Sequence, residues 1–235
     1  MENTGFEGIS QNIGVLAEFV SRHPRLFVLT GAGVSTDCGI PDYRDARGDW
    51  KRPPPVSHQA FMGSHGVRQR YWARSLVGFR ALASAHPGEA HAALTALERQ
   101  SRITSLVTQN VDGLHQRAGT RRVIDLHGQA DVVKCMNCGT TLMRHALHDE
   151  LAQRNPRWLS LSAEVGPDGD ADLDGYDFST FEVPNCHRCR IGILKPDVVF
   201  FGDNVPRPRV ERAFQALEEA SGMLVVGSSL MVYSG

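Results

Sequence analysis

Leu26-Phe27-Val28-Leu29, followed by Thr30-Gly31-Ala32-Gly33-Val34-Ser35-Thr36, is the stretch on which the fold turns. Four apolar residues in an unbroken run, bounded by polar and small ones, read as a strand buried on both faces of a parallel sheet. The glycines that follow allow a tight turn and a close approach to a pyrophosphate. Free amides there, with the hydroxyls of Ser35 and Thr36, can cradle phosphate oxygens. The third glycine of the usual dinucleotide fingerprint is missing, so the local pattern fits a plain glycine turn of an α/β protein equally well.

Outward from this stretch the pattern repeats. Ile9, Ile13, Leu16, Ala17 and Val20 share one face of a helix over Ile9–Arg22, which Pro24 ends. Helical spacing returns over Arg68–Ala85 and Glu89–Arg99, separated by Pro87-Gly88. Strands are expected at Ile103–Thr108, Val123–Leu126 and Met223–Val226. They run into Gln109-Asn110-Val111-Asp112, His127-Gly128 and Gly227-Ser228-Ser229 respectively. Strands alternating with helices give a Rossmann-like parallel sheet with helices on both faces, and ligands of such sheets sit beyond the C-terminal strand ends. All four polar clusters therefore belong on one rim. The polar run Asp42–Pro55 is long for a plain connection, which suits a functional loop.

Composition narrows the class. With 25 Lys+Arg against 26 Asp+Glu, no charge bias draws the chain to nucleic acid or to a membrane. No apolar run approaches the length of a bilayer span, and Met1–Ser10 has the features of neither a secretory signal nor a transit peptide. Cytoplasm is the simplest expectation. The cysteines number 5. An odd count suits thiols and metal rather than a disulfide framework.

Four of the five form Cys135-Met136-Asn137-Cys138 and Cys186-His187-Arg188-Cys189. Two such knuckles can set four thiolates tetrahedrally around one zinc ion and close its shell, which makes the role structural. The long stretch between the pairs reads as an insertion, helical over Arg144–Arg157 and then acidic and Gly-rich over Gly166–Gly175. This divides the chain into a discontinuous Rossmann-like domain, 1–132 with 192–235, and a zinc-ribbon module, 133–191. His127, at a strand end, can take a proton from a sugar hydroxyl as a neutral imidazole; His115 is its nearest competitor in sequence. Gln109, Asn110 and Asp112 suit ribose hydroxyls or a carboxamide, while Asn110 equally suits a helix N-cap. Cys38 reads as a small packed side chain.

Together these segments resemble the sirtuins. The residues that carry the likeness are Thr30–Ser35, Gly39-Ile40-Pro41-Asp42-Tyr43-Arg44, Thr108–Asp112, Leu126-His127-Gly128, both cysteine pairs, Lys195–Gly202 and Val226–Leu230, in the family's order. The resemblance implies an NAD-dependent protein-lysine deacylase yielding nicotinamide, O-acyl-ADP-ribose and free lysine. It puts Gly31, Ala32, Gly33, Ser35, Thr36, Asp42, Tyr43, Arg44, Gln109, Asn110, Asp112, Gly227, Ser228 and Ser229 on NAD. Catalysis falls to His127, Asn110 and Asp112. His127 is the implied general base on a ribose hydroxyl, after the acyl-lysine oxygen has displaced nicotinamide. Val198, Phe200, Phe201 and Gly202 would pair with the acyl-lysine peptide by strand addition.

Gln69–Arg74 and the insertion look like the mitochondrial-type subgroup active on bulkier or acidic acyl groups. Tyr71 and Arg74 share a helix face there, where they could grip a carboxylate-tipped acyl chain or simply pack together. In the family the chain runs on past the Val226–Leu230 segment through a further strand, with adenine-ribose contacts, and a closing helix. This sequence stops at Gly235, so an exposed sheet edge and half an adenosine site are expected. Two other activities fit the same residues, ADP-ribosyl transfer to protein and non-catalytic binding of NAD or peptide.

Overall fold

The computed structural model describes residues 4–42, 49, 51, 55–166 and 169–231. Two sheets organise them. The first is parallel, built from β1 (Leu26–Thr30), β2 (Ile103–Thr108), β3 (Val123–Asp125) and β7 (Gly222–Val226). Their order across the sheet is β3-β2-β1-β7. Register brings Thr30 level with Thr108 and with Val226, so the loops that follow these strands emerge side by side. The expected rim is therefore real, and it is made by register rather than by any one loop.

Alternation along β1 decides what covers each face. Leu26 and Val28 pack with Leu94, Ile103 and Leu106 beneath Phe19, Val20 and Leu97 of α1 (Thr4–Arg22) and α4 (Glu89–Arg99). Phe27 and Leu29 pack with Val107, Ile124 and Leu126 beneath Ala213 and Ala216 of α7 (Arg207–Glu218). An unbroken apolar run from Leu26 to Leu29 is what a sheet covered on both faces requires.

The second sheet is antiparallel, from β4 (Gly128–Cys135), β5 (Thr141–Met143) and β6 (Leu194–Val198). Here the order is β5-β4-β6. Its apolar side belongs to the largest core cluster, in which Val133 and Leu194 meet Phe61, Trp72, Leu76, Leu147, Trp158, Phe181 and Phe200. Those partners come from α2 (His58–Gly63), α3 (His65–Ser84), α6 (Arg144–Arg154), the insertion and the segment after β6. The helix expected over Arg144–Arg157 stops earlier, because Pro156 cannot continue it and starts a 3-10 turn over Pro156–Ser160 instead. Helix α2 is an element that apolar spacing does not predict; its cap is Ser57, whose Oγ accepts from the Ala60 amide at 3.2 Å. No described helix is long and apolar enough to cross a membrane.

Candidate active site and metal centre

The loop after β1 folds onto the loop after β7. Gly31 N donates to the Val226 carbonyl and Gly33 N to the Gly227 carbonyl at 2.8 Å. A Cβ on Gly31 would lie 2.8 Å from Gly227 O, and one on Gly227 (φ +64°) 2.2 Å from Val34 N. Close backbone packing therefore demands these glycines. The same packing engages the amides of Gly31, Gly33, Val34 and Ser35, which all donate to carbonyls within the protein.

Side chains contribute to the polar floor. Ser35 Oγ donates to Asp112 Oδ2 at 2.8 Å and accepts from Asn110 Nδ2 at 3.1 Å, tying the first loop to the loop after β2. Asp112 Oδ1 accepts from the Leu114 amide at 2.8 Å, at the start of α5 (Leu114–Arg117). The N-cap position of α5 is Gly113, so the Asn110 that the sequence suggests does not cap it; Asp112 accepts from the first helical amide from just before the cap. Gln109 Oε1 accepts from Ser228 Oγ at 2.7 Å, while its buried Nε2 finds no hydrogen-bond acceptor among the described residues.

His127 faces this floor from the end of β3. Its Nδ1 lies 2.9 Å from the Gln109 carbonyl. A carbonyl only accepts, so the neutral ring donates from Nδ1 and carries its lone pair on Nε2. Burial holds the imidazole below the ordinary histidine range, against the pull of the Gln109 carbonyl and helped by the Arg209 charge. Gly128 follows at φ +88°, and a Cβ there would sit 1.7 Å from Asp197 O. The Val199 amide donates to the His127 carbonyl at 2.8 Å, so the end of β6 helps hold the ring in place. His115 is no rival. It is buried beneath the rim with Nε2 at 2.9 Å from Thr30 Oγ1, and desolvation drives its pKa to about 3.

These loops enclose a cavity of about 1090 Å³. Ala32, Gly33, Ser35, Asp42, Gln109, Asn110, Asp112, His127, Gly227, Ser228 and Ser229 line it, as do Tyr71, Val198, Phe200, Phe201 and Gly202. Gly31, Thr36 and Arg74 do not line it. Tyr43 and Arg44 lie outside the described residues. Tyr71 and Arg74 part company: Tyr71 packs edge-on against Phe61, and Arg74 Nε turns to the Ala171 carbonyl of the insertion at 2.8 Å. The segment Val198–Gly202 is partly engaged, since the Phe201 carbonyl accepts from the His58 amide at 2.9 Å. Cys38 packs beside Ile40 and Leu82, with burial raising its thiol pKa.

Sequence reasoning missed residues that become neighbours only through the fold. Val56, Ala130 and Val205 reach the same cavity from three separate segments. Arg209 pairs with Asp197 at 2.6 Å beside Gly128, and nothing in the local sequence of α7 announces it.

The four paired cysteines meet at one point, all thiol sulfurs within 4.8 Å of one another. Cys135 and Cys189 sulfurs are 3.6 Å apart, and those of Cys138 and Cys186 3.8 Å. A zinc tetrahedron with Zn–S near 2.3 Å has an edge of about 3.8 Å, so the donor set fits. Gly192 is required here, because a Cβ would sit 2.2 Å from Cys135 Sγ.

A Sir2 family model matches residues 31–234. Over 227 residues the chain is 60% identical to an NAD-dependent protein deacetylase of Xanthomonas campestris pv. campestris, covering 97% of this chain and 77% of that protein. It is 43% identical over 233 residues to the NAD-dependent protein deacylase Sirt4 of Drosophila melanogaster, covering 97% of this chain and 73% of that one. Among solved structures, a Sir2–p53 peptide–NAD+ complex superposes with a TM-score of 0.70 at 29% identity, covering 93% of this chain and 76% of that chain. The family match spans the rim, His127 and the cysteine cluster together, and on that ground the chain belongs to the Sir2 family.

Proposed function

We propose that this chain is an NAD-dependent protein-lysine deacylase, releasing nicotinamide and O-acyl-ADP-ribose and leaving free lysine. One observation carries the reading: a neutral imidazole, its proton pinned on Nδ1, stands across one cavity from the Asn110–Ser35–Asp112 chain. NAD would supply an anomeric carbon with a good leaving group. The buried Gln109 Nε2 is a donor suited to a ribose hydroxyl. Asn110 and Asp112 would hold the carboxamide and the ribose. His127 Nε2 would take the proton of the hydroxyl that attacks the acyl carbon. The described cavity wall carries no Lys or Arg, and Val56, Tyr71 and Phe200 make part of it apolar. That supports uncharged acyl chains over carboxylate-tipped ones.

Four cysteines would hold one structural zinc ion, remote in role from the reaction. We assign 1–132 and 192–235 to the Rossmann-like domain and 133–191 to the zinc module, with the antiparallel sheet bridging them. Thiols grouped for a metal suit a reducing compartment, which supports the cytoplasm as the site of action. The test is mass spectrometry of products from NAD and peptides bearing acetyl, lipoyl, succinyl and glutaryl lysine. O-acyl-ADP-ribose from the uncharged members is the expected result. ADP-ribosylated protein without it would establish transfer instead, and no nicotinamide release would leave only binding.

A further inference from the structure

Just beneath the cavity wall lies an ammonium group that the reaction above does not use. Lys195 is 4% exposed. Its Nζ donates to the Val198 carbonyl and, at 3.4 Å, to the Pro196 carbonyl. It stands 4.1 Å from the centre of the Phe200 ring and 3.9 Å from Asp203 Oδ2. Three of these four partners belong to Val198–Asp203, the segment that walls the cavity. The start of α2 grips the same segment from elsewhere: His58 Nδ1 lies 3.1 Å from Asp203 Oδ2, and Gln59 Nε2 donates to the Gly202 carbonyl at 2.8 Å.

Burying an ammonium is costly, and it persists only where its hydrogens are satisfied. Here desolvation lowers the Lys195 pKa to about 8; Asp203 and Asp197 oppose the shift, and Arg209 and Lys134 add to it. A methionine or leucine would fill the same space without that cost. What an apolar chain could not do is turn the Val198 carbonyl inward, hold the face of Phe200 and hold Asp203 at once. Phe200 meets Tyr71 at 5.4 Å between ring centres, and both line the cavity.

We propose that Lys195 is the positioning residue for the acyl-lysine peptide: by fixing the Val198 carbonyl, the Phe200 ring and the Asp203 carboxylate together, it sets the wall against which peptide and acyl chain lie. Lys195 does not line the cavity and acts only through this segment. The role rests on the deacylase reading.

The experiment uses the whole chain and compares wild type with Lys195→Met and Lys195→Arg. Anisotropy of a labelled acetyl-lysine peptide gives Kd without turnover, steady-state kinetics gives KM for peptide and for NAD, and melting reports folding. Lys195→Met is expected to weaken peptide Kd and KM about tenfold, the scale of one lost charge-assisted hydrogen bond, with kcat and the KM for NAD within about threefold. Lys195→Arg restores most of the loss, because a guanidinium can serve both a carbonyl and a ring. Peptide KM of the wild type rises as pH passes its folded pKa near 8. That of Lys195→Arg stays flat, since arginine keeps its charge.

Unchanged peptide KM in Lys195→Met, or equal loss in every constant, would overturn the role. Should Lys195→Met fail to fold, identical pH curves for wild type and Lys195→Arg overturn it instead. A wild type that binds no acetyl-lysine peptide at any pH removes the deacylase reading itself.

Discussion

At His127 the decisive fact is a proton's location. Nδ1 is committed to the Gln109 carbonyl, so the ring's basic site is Nε2, and burial keeps it neutral. His127→Ala should lower kcat by about 10²–10⁴, the range of general-base catalysis, with the melting temperature little changed. Activity that survives intact would remove the assigned role. The pH profile follows from the direction of the shift. The base form is lost as pH falls through the folded pKa, so the acid limb of kcat/KM should lie below the ordinary histidine value of 6.5. Ser35 is the second residue-scale test. Ser35→Ala cuts the link between Asn110 and Asp112 and should cost about tenfold in kcat/KM, whereas Ser35→Thr, which keeps a hydroxyl, should recover part of it. His127 and Ser35 are legible in sequence because each follows a strand end. The Arg74 pairing is not, because helical spacing places Tyr71 and Arg74 on one face but says nothing about the Ala171 carbonyl that takes the arginine.

Among the elements, α3 meets the insertion through Gln69, Arg70 and Arg74, and most closely at Gly78. A Cβ on Gly78 would lie 2.2 Å from the Gly169 carbonyl and 2.6 Å from the Ala171 amide, both backbone atoms. Backbone cannot rotate away as a side chain does. Gly78→Ala should therefore destabilise by about 1–3 kcal/mol despite alanine's better helix propensity, and should speed protease cleavage within the insertion. Gly63, at the end of α2, has nothing within 4 Å of the place a Cβ would take, so Gly63→Ala serves as the control and should leave the melting temperature level or slightly higher. The main strands and longest helices are readable from apolar runs and helical spacing. Helix α2 and β4 are not. The first is short and loses its signal among prolines, and β4 mixes half-buried and exposed positions that show no clean alternation.

For the whole molecule, the buried histidines and the cysteine cluster both bear on stability. His115 is neutral in the folded state down to a pKa of about 3, while an unfolded chain protonates it near 6.5. Between those values the unfolded state binds the extra proton, so stability falls as pH falls across that window. His91 is shifted the same way by burial and adds to the effect. Urea midpoints should decline from pH 7 to pH 4, and His115→Gln should flatten that decline; an unaltered slope would assign the acid sensitivity elsewhere. Removing the metal with a strong chelator should abolish deacylation and lower the melting temperature together. The reason is connectivity: β4 runs from Gly128, beside His127, to the ligand Cys135, and β6 carries Val198 at its other end. Chelation that spared activity would show that the module is not needed to hold the rim.

Residue order alone determined the parallel α/β layout, the strand-end rim that carries His127 and the four cysteines paired for a metal. Each of these is written locally, in apolar runs, in the small residues that follow them, or in Cys-x-x-Cys spacing. Only the tertiary structure decided which histidine lines the cavity, why Gly31 and Gly227 must be glycine, where Arg74 points and what Lys195 holds. Those answers depend on backbone and side chains far apart in sequence meeting at distances of a few ångströms, and no local pattern encodes such a meeting.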